Sequence, residues 1–214
     1  MAMYDTIVFI DFDGTVTSEE TLTGSLKHLD PPPEGAAEIE RKLTAGELTL
    51  KEAVTSVFSS VRSDRVGEFT RYINSVPLRA GFGALLDALW SRGIPVVIVS
   101  GGLDIMVKEK LAPYREKLTD IWDVKVDLSE AYFKLVAEPE GELELIDKVA
   151  VMGRYTYRRA VCIGDGYTDI LMARNADVVY ARDALEVYLK AHDIPYRPWE
   201  DFRDILKDVE NKNV

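Results

Sequence analysis

Apolar residues along this chain fall into two kinds of pattern. Short unbroken runs rich in β-branched residues occupy residues 7–10, 95–99 and 160–163, with a weaker fourth at 178–181. The first three run directly into Asp, Ser or Gly, which reads as buried parallel strands ending in polar residues. Between the runs, apolar positions recur at helical spacing. Phe82, Leu85, Leu86, Leu89 and Trp90 form one such stripe, and Gly93 follows as a C-terminal stop. Ile105, Val107 and Leu111 predict a helix closed by Pro113, and Ile146, Val149 and Ala150 predict another ahead of the third strand. Strands alternating with helices indicate an α/β fold with a doubly wound parallel sheet. Ligands gather in such sheets at the C-terminal strand ends, where the polar residues fall here.

Residues 18–76 break the alternation. They carry no strand pattern, but several short helical ones. Thr49-Leu50-Lys51-Glu52 is a capping box, and Val54, Val57, Phe58 and Val61 follow it at helical spacing. Pro31-Pro32-Pro33 forces a loop between the first two helices. The expected organisation is a core of residues 1–17 and 77–214 with a small helical cap, residues 18–76, inserted as a lid. Residues 124–144 read as a β-hairpin turning at Pro139-Glu140-Gly141, and residues 208–214 as a frayed tail.

Composition narrows the partners. The 214 residues are 47% hydrophobic, enough to bury a core, and 26 Lys and Arg stand against 37 Asp and Glu for a net charge of -11. Such a surface repels nucleic acid and anionic membranes. An anionic substrate therefore needs a local cluster of cations and backbone N–H groups. The one cysteine, Cys162, excludes an internal disulfide framework and reads as a buried, inert thiol. No stretch has the length of a membrane span, and the first apolar run lacks a basic leader, so a cytoplasmic protein is expected. His28 and His192 have no ligand-spaced partners. Trp90, Trp122 and Trp199 read as core or interface residues, and oligomeric state is not legible.

Candidate chemistry lies at the strand ends. In Asp11-Phe12-Asp13-Gly14-Thr15, strand periodicity points Asp11 and Asp13 the same way, and Gly14 permits a sharp turn. Two carboxylates so close are costly without a cation or a shared proton. A helix cap or a calcium loop is the simpler reading, although the glycine is misplaced for an EF-hand. Ser100-Gly101-Gly102 ends the second run with a hydroxyl and backbone N–H groups suited to an anion. Gly164-Asp165-Gly166-Tyr167-Thr168-Asp169 ends the third with two carboxylates four residues apart, or alternatively an N-cap and a first-turn acid. Lys148 precedes that strand.

Each piece has an ordinary explanation alone; the order of all four resembles the motifs of the haloacid dehalogenase superfamily, with a Rossmann-like core and a C1-type helical cap. The resemblance implies a phosphoric monoester hydrolase in which Asp11 is the nucleophile, forming an aspartyl-phosphate, and Asp13 is the general acid/base. It implies Mg²⁺ on Asp11, Asp13 (through its backbone carbonyl), Asp165 and Asp169. Ser100, Gly101 and Lys148 would hold the phosphate of a small phosphorylated metabolite.

Two groups within the superfamily are similar to this chain. Phosphoserine phosphatases share the DxDxT start, the Val-Ser-Gly-Gly block and a Glu matched by Glu20, which there faces the substrate amine. Glu20 also reads as a cap of the first cap helix, from Thr17-Ser18-Glu19-Glu20, and both readings stay open. Where those enzymes carry a carboxylate-gripping Arg, this chain has Val57, with Arg62 or Arg65 as possible substitutes. The methionine-salvage phosphatases of 2-hydroxy-3-keto-5-methylthiopentenyl-1-phosphate match in Leu78-Arg79-Ala80-Gly81-Phe82, Ala181-Arg182-Asp183, and the tail from Ile194-Pro195-Tyr196 to Trp199-Glu200-Asp201-Phe202. Their Cys-rich stretch before the lysine is absent here. A phosphotransferase or phosphomutase using the same intermediate, and a receiver-type switch, are the alternatives of other classes.

Overall fold

The computed structural model describes residues 3–211. Its sheet contains seven strands, β1 (Met3–Ile10), β2 (Val96–Leu103), β3 (Asp120–Asp127), β4 (Lys134–Val136), β5 (Thr156–Gly164), β6 (Val178–Ala181) and β7 (Arg197–Pro198). They lie in the order β4-β3-β2-β1-β5-β6-β7, all parallel except the β3–β4 pair. The expected doubly wound α/β sheet is therefore observed. Residues 7–10 of β1 and 96–99 of β2 are almost without solvent contact, as strands covered on both faces require.

Register decides where the polar residues meet. Ile10 lies opposite Ile98 on one side and Ile163 on the other. The three runs thus end within one residue of each other, and Asp11, Ser100 and Asp165 leave the sheet close together. β2 does not stop at Val99 as expected. Val99 pairs with Trp122 and Leu103 with Val124, so β2 uses four steps where β3 uses two. The surplus is a bulge at residues 100–102 that re-aims the backbone at the sheet's end.

Helices cover both faces. Between β1 and β2 come α1 (Leu22–Lys27), α2 (Ala36–Thr44), α3 (Leu50–Phe58), α4 (Val66–Ser75) and α5 (Phe82–Ser91); the first four fill residues 18–76 without a named strand. An antiparallel bridge between Thr17 and Leu78, with the Ser18 amide on the Pro77 carbonyl at 3.0 Å, closes the base of this excursion. The capping box that starts α3 forms as read: the Glu52 amide donates to Thr49 Oγ1 at 3.2 Å, and the Thr49 amide to Glu52 Oε2 at 2.8 Å. The remaining helices are α6 (Asp104–Leu111), α7 (Lys148–Met152), α8 (Ile170–Arg174), α9 (Asp183–Ala191) and α10 (Phe202–Glu210). None of the described helices is long and apolar enough to cross a membrane.

Several expectations need correction. The hairpin is β3–β4, with its turn in residues 128–133, not at Pro139-Glu140-Gly141. Asp127 accepts the Ser129 amide at 3.0 Å, a local turn bond that competes with continued pairing. Pro139-Glu140-Gly141 instead opens a second, tighter turn, in which Glu140 bridges Ile146. Alpha7 buries Lys148, Val151 and Met152; Ala150 faces solvent and Ile146 precedes the helix. Residues 208–210 are not frayed, because Asp208 accepts from the Tyr180 hydroxyl and Arg197 and Val209 is buried; residues 212–214 lie outside the described residues. Of the tryptophans read as core or interface, Trp199 is buried and Trp122 half-buried, while Trp90 at 60% exposure leaves the core reading and keeps only the interface one.

The capping box makes a direct prediction. Thr49→Ala should lower the unfolding free energy by about 1 kcal/mol in urea denaturation, with Thr49→Ser keeping most of it; an unchanged midpoint for the alanine variant would show that the box contributes nothing to α3.

Candidate active site

The site is built outward from the end of β1. The Asp11 amide donates to the Ile163 carbonyl at 3.0 Å, so the backbone is still tied to β5 where its carboxylate emerges. That carboxylate is buried, and Lys148 Nζ donates to its Oδ1 at 2.6 Å. The same ammonium donates to Asp169 Oδ1 at 2.7 Å. Asp169 is fully buried, and its other oxygen accepts the amides of Asp165 and Gly166, both at 3.0 Å. Only glycine fits at 164, since a Cβ there would stand 2.6 Å from the Asp169 carboxylate.

The turn after Asp11 is equally constrained. Gly14 has φ +77°, and a Cβ would come within 2.4 Å of Asp165 Oδ2. Thr15 donates its hydroxyl to Asp165 Oδ1 at 2.5 Å. Arg79 holds this turn from outside: its guanidinium donates to the Thr15 carbonyl at 3.0 Å and closely to the Gly14 carbonyl, while its amide meets the Val16 carbonyl at 2.9 Å. Asp13 accepts the Thr21 amide at 3.2 Å and the Thr21 hydroxyl on one oxygen, and the Ser100 hydroxyl at 3.2 Å on the other. Ser100 is buried and accepts the Gly102 amide at 2.8 Å, a use of the β2 bulge.

Crowding these acids shifts their ionisation. Burial holds Asp11 well above the ordinary carboxylate range, repulsion from Asp169 adds to this, and Lys148 opposes it. Asp13 rises to about 6, through burial first and the Glu20 charge second, against hydrogen bonds from Thr21 and Ser100. Asp165 also rises to about 6, again through burial first. Burial alone would depress Lys148, but Asp11 and Asp169 together hold it above the ordinary lysine value.

Oxygens of Asp11, Asp165 and Asp169 lie within 4.8 Å of one another, one lysine facing the group. An all-oxygen donor set of like charge, with a carboxylate kept from protonation only at a cost, fits a hard divalent cation. The side chain of Asp13 points instead to Thr21 and Ser100 and is not in that group.

A cavity of about 340 Å³ opens onto these residues. Asp11, Asp13, Gly101, Lys148 and Asp165 line its polar end, and Leu22, Leu50, Val54, Leu145 and Ile146 form apolar walls. Glu20 lines it too, while accepting the Leu22 amide at 2.9 Å and the Thr23 amide at 3.1 Å. It therefore caps α1 and faces the cavity at once. Thr17 is not its capping-box partner, because Thr17 is spent on Gly14, Phe12 and Glu19. Val57 is buried and does not line the cavity; Arg62 pairs with Asp64 and Arg65 with Glu68, and neither lines it. Sequence reasoning missed Thr15, Thr21, Arg79 and Glu144. Arg79 had a signal in the Leu78-Arg79-Ala80-Gly81 match; Glu144 had none, since its segment was assigned to a hairpin.

A family model described as haloacid dehalogenase-like hydrolase matches residues 6–177. The chain belongs to that family. This hydrolase is 38% identical over 201 residues to a 2-hydroxy-3-keto-5-methylthiopentenyl-1-phosphate phosphatase of Microcystis aeruginosa, covering 93% of this chain and 95% of the relative. A phosphatase of the same name from Exiguobacterium sibiricum is 30% identical over 217 residues, covering 97% of each. Among solved structures, one described as a phospho-aspartyl intermediate analogue of phosphoserine phosphatase superposes with a TM-score of 0.68 at 22% identity, covering 96% of this chain and 99% of its own. That last likeness speaks to fold alone. The expected family and enzyme class, a phosphatase, are borne out, and the receiver-type alternative falls away.

The buried ion triad makes its own prediction. Lys148→Met would leave Asp11 and Asp169 facing each other in a dry site, at a cost of about 3 kcal/mol or more. Denaturation in the presence of a chelator measures it, and a loss below about 1 kcal/mol would contradict the charge accounting.

Proposed function

We propose that this protein is a Mg²⁺-dependent phosphatase acting on a small phosphomonoester with a neutral, partly apolar carbon body. A keto-sugar phosphate such as 2-hydroxy-3-keto-5-methylthiopentenyl-1-phosphate is the preferred candidate. One observation carries the reading. The cavity ends in apolar walls from α1, α3 and the segment after β4, and Lys148 is the one Lys or Arg among its lining residues. That lysine is already engaged by Asp11 and Asp169. Phosphoserine carries a carboxylate besides its phosphate, and that second anion needs its own cation once desolvated. The names borne by relatives at 38% and 30% identity support the same choice.

In this reading residues 18–76 are the cap and residues 1–17 and 77–214 the catalytic core. Asp11 attacks phosphorus, with one oxygen fixed by Lys148 so that the carboxylate cannot rotate away. Asp13, held near neutrality in protonation by burial, gives its proton to the leaving alcohol and later takes one from water. Thr21 and Ser100 orient it. Gly101 and Lys148 receive the phosphoryl oxygens, while the Ser100 hydroxyl, the third group expected there, is already given to Asp13. Asp11, Asp165 and the Asp13 carbonyl would hold the magnesium ion, with Asp169 behind them because both its oxygens are already bonded. When bound, that ion offsets the charge of the phosphoryl group that Asp11 must approach. Transfer to an alcohol instead of water uses the same residues and is distinguished by whether inorganic phosphate appears.

Phosphate release over a panel of small phosphometabolites with Mg²⁺ tests the assignment. Asp11→Asn should cost roughly 10⁴-fold or more in kcat while leaving the fold intact. The keto-sugar phosphate should exceed phosphoserine in kcat/KM by about 10²-fold or more; equal values would refute the substrate class, and an active Asp11→Asn would refute the nucleophile.

A further inference from the structure

Glu144 lines the cavity, yet none of the family motifs contains it. It lies in the turn between β4 and α7, and that turn is tightly tied. The Gly141 amide donates to the Leu145 carbonyl at 3.2 Å, the Asp147 amide to the Pro139 carbonyl at 2.9 Å, and Glu140 bridges Ile146. A Cβ at position 141 would stand 2.5 Å from the Glu144 carbonyl, so the chain closes here only on glycine. From the opposite side, Lys51 of α3 donates to the Gly141 carbonyl at 2.8 Å and pairs with Glu140 at 2.7 Å. The Lys51 amide also meets the Leu143 carbonyl at 3.3 Å. The turn that carries Glu144 is therefore latched to the helix that supplies Leu50 and Val54.

On this fixed support the Glu144 carboxylate is half-buried and makes no hydrogen bond or ion pair to any described residue. Its neighbours along the wall are Leu145 and Ile146. Burial raises its pKa to about 7, with Lys148 lowering it and Asp169 and Asp147 raising it. Glu20, the other carboxylate lining the cap side, is already bonded to the first turn of α1. A partly desolvated acid without a partner is costly unless a ligand supplies a donor.

We infer that Glu144 is a specificity-determining residue that accepts a hydrogen bond from a hydroxyl on the carbon body of the substrate and repels bodies that carry a carboxylate. This rests on the phosphatase reading above and narrows it to hydroxylated, otherwise uncharged phosphomonoesters. The unpaired carboxylate is the selecting element on both counts. It rewards a donor, and in its ionised form it sets a negative charge where a second substrate anion would have to lie.

A matched set of probes tests it: dihydroxyacetone phosphate, n-propyl phosphate, which lacks the hydroxyl and keto groups, and phosphoglycolate, which adds a carboxylate. For the wild type, kcat/KM should favour dihydroxyacetone phosphate over n-propyl phosphate. Glu144→Leu should cut that preference by about tenfold or more, mainly through KM. Glu144→Gln, which keeps an acceptor oxygen, should retain most of it. Both variants should raise the relative rate on phosphoglycolate, since both remove the charge. Preferences unchanged within twofold in Glu144→Leu, or no gain on phosphoglycolate in either variant, would overturn the inference while leaving phosphatase activity standing. A wild type that releases phosphate from none of the three, and from none of the wider panel, would overturn the phosphatase reading and this inference with it.

Discussion

One buried ammonium sets the terms for the whole site. Lys148 lies between Asp11 and Asp169, at 2.6 and 2.7 Å, with all three side chains nearly sealed from solvent. A buried charge must be paired, and here one cation serves two acids. The strand ends alone bring together four carboxylates, from Asp11, Asp13, Asp165 and Asp169. Burial pushes Asp11, Asp13 and Asp165 above their ordinary range. The electrostatic deficit left by a single lysine is what makes the centre receptive to a divalent cation. An anionic ligand would meet net negative charge here unless such a cation were bound, because the one lysine is already shared by Asp11 and Asp169.

Backbone detail makes that charge arrangement possible. Strand ends within one residue of each other bring Asp11, Ser100 and Asp165 together, and glycines at 14, 102 and 164 let side chains approach where a Cβ would collide with Asp165, Asp13 or Asp169. Arg79 then pins the carbonyls of the Asp11 turn from the far side of the helical excursion. Walls for the cavity come from two separate stretches, α3 and the turn before α7, joined through Lys51. The apolar body of a ligand would thus be enclosed by elements that meet only in the folded chain.

Much of this was legible from sequence because the core strands are short, continuous and covered on both faces, so their apolar runs end at the functional residues. Asp11, Asp13, Ser100, Gly101, Lys148, Asp165 and Asp169 all fall where periodicity and the family resemblance place them, and they converge on one cavity or directly beneath it. What escaped has physical reasons. The β3–β4 hairpin turns on a local Asp127–Ser129 bond instead of at the more conspicuous Pro139-Glu140-Gly141. Strand β7 has two residues and no pattern to detect. Glu144 and Thr21 reach the site through tertiary contacts, and nothing in their local sequence marks them. Glu20 looked like a choice between two roles, yet its side chain is long enough to cap α1 and still face the cavity.

The central claim is that a lysine-fixed carboxylate at residue 11 becomes covalently phosphorylated. Borohydride reduces an acyl phosphate to an alcohol, converting a phosphorylated aspartate into homoserine. Enzyme quenched with borohydride during turnover and digested for peptide mass spectrometry should carry homoserine at position 11, and only when substrate and Mg²⁺ are both present. Homoserine at another aspartate, or unmodified Asp11 throughout active turnover, would contradict the account.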